Sequence, residues 1–367
     1  QVTGLLSLLN GRQSIVDINK QINSNGEIDT DDLIKFVQLL DEHRILYSDY
    51  FKDFKSNLEN QFEELTYRPP SCIGSSYPAQ PDEIQSLFDE AFDQIGDSKE
   101  GNSNGNVKAL YAPHIDLRIG MDSYARSFSM LQSMKPERVV ILATSHYAGY
   151  YPELYKNKPF IASRKTFGLP LGDVDADHEI LDMMEEKKDE LGISFNDRAH
   201  RVEHSIELHL ILLRYLWEHD FEIVPVLVGN FDELYYMSDG HLGEKVAEFG
   251  KFMNELFADD DTLFLISGDL AHVGKKFGDE KPAHTKFDEV RQFDKIFMQH
   301  AQESNRSAML EHISEDHDPH RICGFPPLYT FLSCFDDLKG RKITYDLWDE
   351  RERESAVSFG SVVYEEK

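Results

Sequence analysis

Three apolar runs in the chain stop at residues able to do acid–base or ligand chemistry. LYAPHIDL runs into His114, VVILATSHYAG into Ser145 and His146, and LFLISGDLAH into Asp269 and His272. In open α/β sheets, ligands bind beyond the carboxyl ends of strands. If these runs are parallel neighbours, three imidazoles and a carboxylate share one rim. An imidazole with the ordinary pKa of about 6.5 can take up and return a proton at neutral pH. That suits His272 to general acid–base work and Asp269 to orienting its ring or holding a water. One such histidine reads as a satisfied structural residue, but three at the same place relative to three strands favour a site.

Cys323, in HDPHRICGFPPLYTFL, stands just before a helical pattern. A thiolate at a helix N-terminus is stabilised by unpaired amides and can serve as nucleophile or metal ligand. The alternative is a small buried apolar residue, the common fate of a free cysteine and the reading taken for Cys334. RVEHSIELHLILL offers Glu203, His204, Glu207 and His209, with His204 and Glu207 one helical turn apart. Its two histidines are five apart, so this is not H-E-x-x-H. Either this helix start faces the cleft, behind the ligands or against substrate, or Glu203 and Glu207 merely complement the helix dipole. The chain has no G-x-G-x-x-G after a strand, no Walker loop and no G-x-S-x-G, which removes support for nucleotide cofactors and serine-hydrolase chemistry. His178, His284, His300, His312, His317 and His320 lie in polar stretches and read as solvated.

The elements that must position these groups follow from periodicity. VKALYAP, RVVILATS, EIVPVLVG and TLFLISG are continuous apolar runs, read as strands buried on both faces. They alternate with helical patterns such as MDSYARSFSMLQSM, EHSIELHLILLRYLWEHD and HTKFDEVRQFDKIFMQHAQE. The fold class expected is α/β, with a largely parallel or mixed central sheet flanked by helices. The final SAVSFGSVVYEEK is expected to be an edge strand. Residues 1–66 read as a small helical or winged-helix domain, 67–83 as a Pro/Ser/Gly-rich junction, and 72–367 as the α/β domain. Asn23, Asn25 and Gly26 echo an EF-hand loop, but Gln21 and Asp32 stand where that motif wants Asp and Glu. An Asn/Gly turn with an N-cap at Asp29 or Thr30 is the plainer reading.

Composition narrows the function classes. Thirty-eight Lys and Arg against 67 Asp and Glu give a formal charge of −29. A nucleic acid or an anionic membrane would be repelled. No apolar run approaches the roughly 20 residues of a membrane span, and the N-terminus lacks the pattern of a signal peptide. Three cysteines without C-x-x-C spacing form no disulfide framework, which points to a reducing cytoplasm.

APHIDLRIG, ATSHYAG, EHSIELHL, VPVLVG, SGDLAHVG and ICGFPPL, in this order, resemble the Memo family, with GSSYPA matching its opening segment. The likeness spans about residues 72–367. It implies a fold related to the class III extradiol dioxygenases, which hold non-haem Fe(II), and a metal-binding pocket. His114, His146 and Cys323 match the family's metal ligands, and Asp269 and His272 match the polar pair beside them. A thiolate in place of the dioxygenases' carboxylate makes copper or zinc competitive with Fe(II). The resemblance also implies a small-molecule or peptide substrate. The bacterial AmmeMemoRadiSam grouping adds radical-SAM and AMMECR-type proteins as partners. Ser76, Asp116-Leu117 and Ile119 depart from the animal pattern around the pocket, which places Asp116 behind the ligands or against substrate. The expected activity is an iron-dependent, dioxygenase-like oxidation. A non-catalytic metal or peptide-binding module and a zinc hydrolase are the alternatives. The first 66 residues resemble PqqD-type winged helices only in LLNGRQSIVDI and LLDEHRILY.

Overall fold

The computed structural model describes residues 2–22, 28–96, 107–258, 261–335 and 337–365. The chain divides into two compact units, Gln1–Glu64 and Leu65–Lys367. The first unit holds α1 (Val2–Leu8), α2 (Ile15–Ile22), α3 (Thr30–Glu42) and α4 (Asp49–Glu64), with no strand among its described residues. Asp29 is the N-cap of α3, accepting from the Asp31 amide at 3.3 Å. Residues 23–27 of the EF-hand-like stretch lie outside the described residues.

The second unit is α/β. Its strands are β1 (Tyr67–Arg68), β2 (Val107–Ala112), β3 (Arg138–Thr144), β4 (Phe160–Ala162), β5 (Thr166–Phe167), β6 (Ile193–Ser194), β7 (Glu222–Val228), β8 (Leu263–Ser267), β9 (His272–Gly274), β10 (Lys339–Glu350) and β11 (Ser355–Glu365). β1 and β5 form a separate parallel pair. The others make one sheet in the order β10-β11-β2-β8-β3-β7-β4-β6, with β9 added to β11. β2, β8, β3 and β7 run parallel at its centre. The helices are α5 (Pro81–Ile95), α6 (Leu117–Ser129), α7 (Pro152–Tyr155), α8 (His178–Glu186), α9 (Lys188–Leu191), α10 (His204–Leu216), α11 (His241–Phe257), α12 (Phe287–Gln302), α13 (Arg306–Ser314) and α14 (Phe325–Cys334).

Strand side chains alternate between two cores, as a sheet covered on both faces requires. Tyr111, Leu142, Val226 and Ile266 pack with Phe249 and Met253 of α11, Phe297 of α12 and Leu328 of α14. Leu110, Ile141, Leu227 and Leu265 pack with Phe88 of α5, Phe128 of α6 and Leu210 of α10. Full burial of each such side chain contributes about 1.5–3 kcal/mol, so the sheet centre is rigid where the strands end. No helix among the described residues is long and apolar enough to cross a membrane.

The C-terminal strand is a correction. β11 lies inside the sheet, paired with β2 on one side and along its whole length with β10 on the other. The true edge, KGRKITYDLWDE, is half-exposed and mixes Ile343, Tyr345, Leu347 and Trp348 with charged residues. It therefore carries no buried-strand signature.

Candidate functional site

Register makes the strand ends level. Ala112 of β2 and Ala143 of β3 both pair with Ser267 of β8. Two residues beyond Ala112, Thr144 and Ser267 stand His114, His146 and Asp269. One buried carboxylate ties the rim together. Asp269 Oδ1 accepts the amides of His114 at 2.9 Å and Ile115 at 3.1 Å.

The imidazole tautomers are set by their neighbours. The Ser267 hydroxyl donates to the Ser205 carbonyl at 2.7 Å, so its oxygen can only accept from His114 Nδ1–H at 3.1 Å. His114 Nε2 therefore carries a lone pair, 3.4 Å from Cys323 Sγ. His146 gives its amide to Glu203 Oε2 at 2.7 Å and its Nδ1–H to Oε1 at 2.8 Å. That leaves Nε2 for the hydrogen bond this ring makes with the Cys323 sulfur. Cys323 itself is held by Thr144 Oγ1, which donates to its carbonyl at 2.8 Å, and by the Asp269 amide, 3.3 Å from Sγ. Gly268 and Gly324 allow this approach, because a Cβ on either would overlap the other's backbone.

A third imidazole joins the cluster. His204 opens α10 and stacks on His146, centroids 4.7 Å apart and rings at 21°. Ligand atoms of His114, His146 and His204 lie within 4.8 Å of one another. His114 is buried, whereas the His146 and His204 side chains stay 31% and 35% exposed, so the cluster opens to solvent on their side. The donor set fits a transition-metal ion. Cys323 Sγ and His114 Nε2 stand 3.4 Å apart, a separation that one ion could bridge. The sequence alone left His204 behind the expected ligands; the fold brings its ring level with those of His114 and His146.

Burial, then the neighbouring imidazoles, holds His114 well below the ordinary histidine range. Burial would do the same to His146, but Glu203 and Cys323 overcome it and raise His146 well above that range. Glu203 is itself buried, yet His146 and His204 bring its carboxyl down to about 2. Burial pushes the Cys323 thiol up, with Asp269 adding to the effect and His146 opposing it. Burial raises Asp269 to about 7 against the pull of the His114 and Ile115 amides. His272 is lowered to about 4 by burial and by His146. Its Nδ1–H lies 3.0 Å from the Leu270 carbonyl and 3.1 Å from that of Arg321, so Nε2 bears the lone pair. Asp269, rather than His272, is the member of the pair that titrates near neutrality.

Two expected residues serve elsewhere. Glu207 points away from the imidazoles and is taken up by Arg68, the Ser71 and Cys72 amides and Tyr77 Oη at 2.5–2.8 Å. It thus pins the junction segment to the helix that carries His204. Asp116 caps α6 and pairs with Arg118, and Ser76 Oγ reaches it at 3.5 Å. The Glu203 ambiguity resolves into both roles, since it caps α10 and anchors His146 and His204. His320 is a correction: it is buried, and its carbonyl accepts the His272 amide at 2.7 Å. Sequence reading missed Ser267, whose place at a strand end was the available signal. It also missed Arg68, whose partner lies 139 residues away.

Fold and site define an α/β protein with an imidazole–thiol cluster at the carboxyl ends of parallel strands. Residues 68–363 match the family model described as Memo-like protein, and the chain belongs to that family. It is 26% identical over 365 residues to a MEMO1 family protein of Aquifex aeolicus, covering 98% of this chain and 90% of that one. It is 27% identical over 293 residues to the protein memo-1 homolog of Caenorhabditis elegans, covering 78% of this chain and 76% of that one. Human protein MEMO1 is 24% identical over 279 residues, covering 74% of this chain and 85% of its own length.

Proposed function

We propose that the protein binds one Fe(II) ion between His114, His146 and Cys323 and oxidises a phenolic small molecule or peptide side chain. The observation that carries this reading is the pair of anchored rings: Ser267 and Glu203 take the Nδ1 protons, and both rings turn toward one thiol. Bound Fe(II) with open positions would supply the oxygen chemistry. The chain's own groups do the rest. Glu203 holds the rings in place, a role in which loss of a partner costs about 10–100-fold in metal affinity. Neutral His272 presents Nε2 to accept a phenolic proton, and its lowered pKa favours handing that proton on. Radical-SAM and AMMECR-type partners belong to the same proposal and are checked by co-purification.

The proximity of His204 favours a second reading. Three imidazoles suit zinc, which lowers a bound water's pKa to about 7, with Asp269 as base for hydrolysis. Metal analysis of protein purified without chelator, then anaerobic Fe(II) reconstitution and oxygen uptake with a catechol, separates the readings. Iron-dependent uptake lost in His114→Ala supports oxidation, and stoichiometric zinc without iron supports hydrolysis. Tight metal binding with no turnover of either kind makes the protein a binding module.

A further inference from the structure

The two ends of the sheet are unlike. β6 is two residues long and buried, whereas β10 runs for 12 residues. β10 pairs with β11 on one side, and among the described residues no strand pairs with the other. Its faces are already covered. Thr344 meets Ser123 of α6 at 2.7 Å, and Tyr345 Oη donates to Asp294 of α12 at 2.8 Å. What stays open is the hydrogen-bonding edge, which in a long strand is a template for another strand. Guards against pairing are sparse: an irregularity between Lys342 and Thr344, Gln302 Oε1 on the Lys342 amide, and Asp346 Oδ1 on the Leu347 amide.

The charge order along this edge selects its occupant. The first third carries Lys339, Arg341 and Lys342, and the second half carries Asp346, Asp349 and Glu350. Arg341, Asp349 and Glu350 have partners within the chain. Lys339, Lys342 and Asp346 form no ion pair among the described residues. The geometry points to a second copy of this chain as the occupant, its β10 antiparallel to this one across a two-fold axis. Only that direction sets each basic end against the partner's acidic end, since parallel pairing would oppose like charges. Such a contact is isologous, closes at two copies and extends the sheet through both. A charge of −29 opposes casual association of two copies, so a contact between copies needs local complementarity of the kind this stripe offers.

Sedimentation of the full chain tests this. The wild type should run at twice 42.3 kDa at tens of micromolar. A Lys339→Glu/Lys342→Glu variant and an Asp346→Lys/Asp349→Lys variant should each run as monomers, one edge being largely acidic and the other largely basic. Mixed together they should recover the dimer mass, a gain that misfolded protein cannot give. A wild type monomeric at every concentration, or two variants that both stay dimeric, would overturn the inference.

Discussion

Replacing Glu203 by Gln removes one charge while keeping the side chain's shape. The carboxylate accepts the His146 amide and Nδ1–H, and the His204 and Ser205 amides at 3.1 and 3.4 Å. An amide side chain must set its NH2 against at least one of these donors, whichever way it turns. The magnitude follows from the carboxyl being held at about 2 where 4.5 is ordinary. At 1.36 kcal/mol per pH unit this amounts to about 3 kcal/mol of stability at pH 7. The sign is that of a depressed acid: the contribution is complete above the unfolded pKa and fades as pH falls through 4.5 toward 2. Urea unfolding of wild type and Glu203→Gln from pH 7 to 3 should show a gap of about 3 kcal/mol that narrows below pH 4.5. A gap under about 1 kcal/mol, or one independent of pH, would refute the assignment of Glu203 as an ionised anchor.

Binding of Fe(II) or Zn(II) should release protons, because His146 and Cys323 both hold theirs more tightly than usual. Titration calorimetry in buffers of different ionisation enthalpy should show buffer-dependent heats and an affinity that rises with pH. Arg68→Ala leaves the buried Glu207 carboxylate without its cation and should cost about 3–5 kcal/mol in chemical denaturation; a loss near zero would mean the junction segment is not locked. Gly324→Ala drives a methyl into Tyr111 Oη and the Asp269 carbonyl. It should lose about 1–3 kcal/mol of stability and weaken metal binding in the same titration, whereas unchanged binding would show that Cys323 does not need this close approach.

Much of this architecture was legible in the sequence, for identifiable reasons. The central strands are buried on both faces, so Val139–Thr144 and Leu263–Ser267 read as continuous apolar runs, and the polar residues that end them marked the rim. What stayed hidden depends on contacts across the chain. His204 joins His114 only because α10 starts above the rim, and Glu207 reads as helix polarity until Arg68 is seen beside it. β10 was invisible because an edge strand flanked by helices mixes half-buried residues with charges, and with β10 unseen β11 was mistaken for the edge. The expectation for His272 failed in its pKa, since burial cannot be read from local spacing, and its Nδ1 faces the Leu270 and Arg321 carbonyls where Asp269 was expected to orient the ring.

The central claim is that His114, His146 and Cys323 share one ion. Crystals soaked anaerobically with Fe(II), measured on both sides of the iron absorption edge, test it most directly. The account predicts a single anomalous peak about 2.1 Å from both histidine Nε2 atoms and about 2.3 Å from Cys323 Sγ, lost in Cys323→Ser/His114→Ala protein. No peak at that point, or iron held elsewhere on the chain, would contradict it.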